Sequence, residues 1–125
     1  MSVQEIKLQL DGLYRTSPAR DCISIDAHIF FEGEPVPFLF YQEDDKYSRI
    51  VTHQNFSEWM AWSTGNWTKA APTIQRLAQP YGVQWDNENG ALYIRFRRNE
   101  LTVAQALLRL QQAVFVVGNL GPCKG

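Results

Sequence analysis

Asp26 and His28 stand two residues apart in a run that alternates oily and polar side chains, a spacing that puts both on one face of a strand. There a carboxylate can orient an imidazole for general-base chemistry. No GxSxG or paired-carboxylate pattern supplies a nucleophile beside them, and polar residues alternating on a solvent face are what any sheet edge shows. The second histidine, His53, falls at a strand-to-helix junction, and no HxxxH or HExxH spacing preorganises metal ligands. The expectation is no catalytic residue, no metal and no cofactor.

Two other constellations suit binding. Tyr93, Arg95 and Arg97, extended by Arg98, alternate along one strand face and combine rings with cations, as stacked bases or phosphates require. The acidic turns at Glu32-Glu34 and Glu43-Asp45 offer those arginines salt bridges within the same sheet instead. Trp59, Trp62 and Trp67 fall within nine residues around Ser63-Thr64-Gly65-Asn66, three of the four tryptophans in the chain. They either close the core or anchor a contact with another protein or a second copy. Trp62 and Trp67 fall off the helical stripe of Phe56, Trp59 and Met60, which keeps the second use open. No GxGxxG or GxxxxGK pattern offers a phosphate cradle, and Asp86-Asn87-Glu88-Asn89-Gly90 lacks the spacing of a calcium loop and reads as a turn.

The elements that must position these residues follow from periodicity. Val3, Ile6, Leu10, Leu13 and Tyr14 predict a one-sided helix, and Thr16-Ser17-Pro18 a turn. Ile23 to Phe31, Val36 to Tyr41 and Tyr47 to Thr52 predict a three-strand meander, joined at Glu32-Gly33-Glu34-Pro35 and Glu43-Asp44-Asp45-Lys46. Asn55-Phe56-Ser57-Glu58 resembles a capping box opening a helix that Gly65-Asn66 interrupts, and Pro72 fits the first turn of the next, whose stripe is Ile74, Leu77, Ala78 and Tyr81. Val83 to Trp85 and Ala91 to Arg97 predict a hairpin with Leu92, Ile94 and Phe96 inward. Thr102 and Gln105 form a second capping box, followed by Val103, Leu107, Leu110, Val114 and Val117 at core spacing, with Gly118 as the stop. The sum is an α+β fold: an antiparallel sheet of about five strands with helices packed on one face.

At 125 residues, with 45% hydrophobic and 20% charged side chains, the chain is a single domain able to bury its own core. A net charge of −1 excludes strong general attraction to nucleic acid or anionic membrane, leaving only a local patch for a polyanion. Cys22 and Cys123 have no metal-like or redox spacing and read as free thiols, with a bridge tying tail to sheet as the alternative. Without a leader-like or 18-residue apolar stretch, the expectation is a soluble cytoplasmic protein.

From Asp21 to Leu120 the chain resembles a small bacterial and phage-borne family of uncharacterised domains. The resemblance runs through Tyr81-Gly82-Val83, the hairpin, and Glu100-Leu101 leading into Ala106-Leu107-Leu108-Arg109-Leu110-Gln111-Gln112-Ala113-Val114. Thr52-His53-Gln54 replaces the Asp-Asp-Gly turn associated with the third strand. The element order also resembles the small acidic type III secretion chaperones, which implies a dimer holding a partner segment. Neither resemblance brings catalytic residues. The leading expectation is therefore a non-enzymatic binding or accessory protein, carried on a mobile element, that engages another protein or itself. The alternative is single-stranded nucleic-acid binding on the Tyr93, Arg95 and Arg97 face.

Overall fold

The structure, a computed structural model, describes residues 15–18 and 22–121. The helix expected from Val3 to Tyr14 and the tail holding Cys123 lie outside the described residues, and Cys22 carries a free thiol. The chain runs through β1 (Arg15–Pro18), β2 (Ile23–Asp26), β3 (Phe30–Phe31), β4 (Glu34–Pro35), β5 (Phe38–Gln42) and β6 (Tyr47–Thr52). Then come α1 (Gln54–Thr64), α2 (Trp67–Ala78), β7 (Gln84–Asp86), β8 (Ala91–Arg97) and α3 (Val103–Gly118).

Five strands form the expected antiparallel sheet, and β1 adds a sixth at its edge, giving the order β1-β2-β5-β6-β8-β7. Thr16-Ser17-Pro18, read as a turn, instead pairs along β2, with Thr16 opposite Ile25 and Pro18 opposite Ile23. Proline is tolerated there because an edge strand need not donate on both sides.

Register explains the two faces. Ile23, Phe40, Ile50 and Ile94 lie across from one another, strand by strand, and all are buried. Phe38, Phe96 and Leu92 extend that face, and α1, α2 and α3 cover it with Phe56 and Met60, Ala70 and Ile74, and Leu107, Leu110 and Val114. Burying each large side chain contributes roughly 1.5–3 kcal/mol. Thr52, on the buried face, accepts the Leu92 N–H at its Oγ1 across 3.1 Å, so its hydroxyl is satisfied. The opposite face presents Tyr41, Tyr47, Tyr93, Arg49, Arg95 and Arg97, and it is open to solvent in part, its three arginine side chains being 41–45% exposed.

The strand predicted from Ile23 to Phe31 breaks at Asp26. The Asp26 carboxylate accepts the His28 N–H at 2.9 Å, and His28 enters the left-handed region at φ 56°. This local turn outcompetes the ladder. After it, β3 and β4 make a separate two-stranded ribbon. Glu32 and Gly33 at its tip have φ 51° and 79°, the double left-handed geometry of a tight hairpin turn.

Helix ends also differ in detail from the sequence reading. His53, not Asn55, caps α1: its Nδ1 accepts the Asn55 N–H at 3.1 Å. The Asn55 side chain donates to the Pro35 carbonyl at 2.8 Å, pinning the ribbon to α1. Gly65 ends α1 in a left-handed conformation, as its sequence suggests, and Asn66 caps α2 by accepting from Thr68 and Lys69. Pro72 lies inside α2 and not in its first turn. The Thr102 and Gln105 capping box forms as expected. Gly118 is the last residue of α3, not its left-handed stop, and the Phe31 ring occupies the space a side chain there would need.

Candidate functional site

The aromatic site grows out of α1. Trp59 and Trp62 are three residues apart and therefore neighbours on the helix surface. Trp59 is fixed from two sides: its indole N–H donates to the Gly118 carbonyl at 2.8 Å, and its ring stacks on Phe31 with centroids 5.1 Å apart and planes at 24°. Phe31 in turn packs on Phe56 and against Gly118. Trp62 leans on Trp59, centroids 5.2 Å apart, while 72% of its surface remains exposed. A row of rings thus runs from the core outward, with its last member in solvent.

The ribbon and α1 enclose a cleft of about 320 Å³ against this row. Phe31, Trp59, Trp62 and Val36 supply its apolar walls, and Glu32, Glu34 and Glu58 its charged ones. Other exposed apolar side chains, Phe30, Phe115 and Val116, lie within three residues of the Phe31 to Gly118 contact. The sequence spacing marked Trp62 as lying off the core stripe. The carboxylates could not be placed beside it from sequence, because only docking of the ribbon on α1 brings Glu32 and Glu34 towards Glu58.

Trp67 is placed differently. It is half-buried, meets Trp85 edge to face at 6.3 Å, and donates its indole N–H to the Asn87 carbonyl at 3.0 Å. Gly90 leaves room for its ring: a β-carbon there would come within 2.7 Å of it. Trp67 therefore braces the β7–β8 turn on α2, on the far side of the Gly65 break from Trp62. Asp86 closes that turn through its carboxylate, which accepts from Glu88 N–H and from the Asn89 backbone and side chain.

On the open sheet face the register brings Tyr41, Arg49 and Arg95 into one cross-strand row, with Tyr47 opposite Arg97. The Arg95 guanidinium lies 3.7 Å from the Tyr47 ring centroid and donates to Glu43 at 2.7 Å. Hydrogen bonding to Glu43 pushes the Arg95 pKa still higher. Arg49 is 3.7 Å from the same carboxylate and 5.1 Å from the Tyr41 ring, Arg97 pairs with Glu100 at 3.8 Å, and the Tyr93 hydroxyl donates to Gln84. The expected arrangement of Tyr93, Arg95 and Arg97 on one face is present. Its cations are also engaged by neighbouring rings and acids, the acidic turn at Glu43 among them.

Asp26 and His28 do not share a strand face. The carboxylate is committed to the His28 backbone, the imidazole Nδ1 is 3.8 Å away, and both side chains are exposed, by 41% and 65%. His53 is engaged in capping α1. Among the described residues no three His, Cys, Asp or Glu side chains are grouped to hold a metal ion, and no helix is long and apolar enough to cross a membrane. A larger hollow of about 620 Å³ opens between α1 and the β7–β8 turn, lined by Arg49, Gln54, Ser57, Trp67, Asp86 and Glu88 among others. Asp86 serves the turn, Glu58 accepts from Gln54, and among the described residues no nucleophile is hydrogen-bonded to a base there.

No protein-family model matches the chain, and no curated protein and no solved structure matches it.

Proposed function

We propose that the chain is a non-enzymatic binding protein that engages another protein, or a second copy of itself, through the aromatic end centred on Trp62. One observation carries this reading: an indole 72% exposed, tilted against a ring that is itself anchored to the core. Covering that much indole is worth roughly 3 kcal/mol. The preorganised Trp59 beneath it reduces the ordering cost of a contact. A cytoplasmic accessory role in a bacterium or its phage accords with the resemblances in the sequence, and a partner-holding dimer accords with the chaperone-like element order.

The test is selection of peptides from a display library on the full chain, combined with sedimentation of the free protein, each repeated with Trp62→Ser. Binding or self-association that falls roughly tenfold or more in the variant supports the proposal. Equal behaviour of the two proteins contradicts it.

A second reading, single-stranded nucleic acid on the open sheet face, draws on the three tyrosines and three arginines brought together there by β5, β6 and β8. It predicts retention on single-stranded DNA or RNA that weakens steeply with salt, because phosphate neutralisation releases counterions. Absent or salt-independent retention removes it.

A further inference from the structure

We infer that the cleft beside Trp62 receives a basic side chain, arginine or lysine, presented by the partner protein. The inference rests on the proposed Trp62-centred contact and names the chemistry of what enters it. Two tryptophans and Phe31 offer π faces, and Glu32, Glu34 and Glu58 supply three carboxylates around a space of about 320 Å³. Among the described residues no lysine or arginine lines the cleft, and none of the three carboxylates is in an ion pair. Glu58 only accepts a 3.3 Å hydrogen bond from Gln54. The contrast with the open sheet face is informative. There, Glu43 already holds Arg95 and Arg49 beside the Tyr47 and Tyr41 rings, whereas here the rings and the acids are present and no described residue supplies the cation.

A guanidinium or ammonium group over an indole is attracted by the ring quadrupole, and carboxylates at the rim add charge-assisted hydrogen bonds. An apolar ligand would satisfy the rings but make no use of the three carboxylates. An anionic ligand would meet three like charges.

The experiment extends the peptide selection. Peptides enriched on the full chain and lost on Trp62→Ser are sequenced, and their affinities are measured by calorimetry. The ligands are the peptides and versions with each arginine replaced by citrulline or lysine by glutamine. The protein is the wild type and the triple variant Glu32→Gln, Glu34→Gln, Glu58→Gln. The expected result is enrichment of arginine or lysine, and a loss of roughly tenfold or more on neutralising either side, with the variant still folded by circular dichroism. Trp62-dependent peptides that lack a basic residue, or that bind the triple variant equally well, overturn the inference and leave the contact surface standing. A selection that yields no Trp62-dependent peptide overturns both.

Discussion

At the scale of single residues, the three clustered tryptophans have separate jobs. Trp59 and Trp67 each donate an indole N–H to a backbone carbonyl, whereas the Trp62 ring touches Trp59 and solvent. Trp62→Ser should therefore leave the urea unfolding midpoint nearly unchanged, within about 0.5 kcal/mol. Trp59→Leu should cost several times that, through lost stacking and an orphaned Gly118 carbonyl. Glu32 offers the reverse case. Glu32→Asn should raise stability by about 1 kcal/mol, by easing a left-handed residue, while weakening the binding of basic peptides. Thermal unfolding and calorimetry on one sample check both signs. The offset of Trp62 from the Phe56, Trp59 and Met60 stripe left its exposure open in the sequence. The fate of Trp67 was not readable, because its partners Trp85 and Asn87 lie across a hairpin whose approach to α2 no local pattern encodes.

Among the elements, the regular ones were legible and the irregular ones were not. An aromatic-rich apolar run identified β5, β-branched residues β6 and period-two alternation β2 and β8, and 3.6-residue spacing with a Thr102 and Gln105 box identified α3. The same alternation ran on through His28 and concealed the Asp26 turn, since a side chain bonding its own backbone leaves hydrophobic patterning untouched. His53 displaced Asn55 as the α1 cap because Asn55 is drawn to the Pro35 carbonyl, a tertiary contact. That contact and the Phe31 to Gly118 approach together seat the ribbon. Gly118→Ala should gain a little helix propensity but push the Phe31 ring off its seat, for a net loss of about 1–3 kcal/mol. Near-UV circular dichroism should change with it as the Phe31 and Trp59 stack is disturbed. The β5–β6 turn carries one pH-sensitive contact. The Asp44 carboxylate accepts the Tyr47 and Lys46 N–H groups at 2.8 and 2.7 Å, which hold its pKa below the ordinary aspartate value, Tyr47 contributing most. A depressed folded-state pKa means its stabilisation is present above the unfolded value and is lost as pH falls through the folded one. Amide exchange at Lys46 and Tyr47 should accelerate below about pH 4 ahead of the sheet centre. In Asp44→Ala that acid step should be missing.

Across the described residues, one buried sheet face carries the three helices and most of the core, and the proposed function assigns contact to the aromatic end. The segregation follows from register alone: Phe40, Ile50 and Ile94 face inward while Tyr41, Arg49 and Arg95 face outward one residue along. The fold class could be read from the chain because that register is written in the alternation. The cleft could not, because it is made where a two-stranded ribbon outside the main sheet meets α1. The proposed division of labour makes Trp62 dispensable for folding and decisive for association. Its most direct test is photo-crosslinking in the native cell with benzoylphenylalanine at the exposed neighbouring position Ala61, compared with the same probe at exposed Ala104 on α3. A discrete protein adduct at position 61, absent at 104 and abolished by Trp62→Ser, is the predicted result. No adduct at 61, or one that persists without Trp62, would contradict the account.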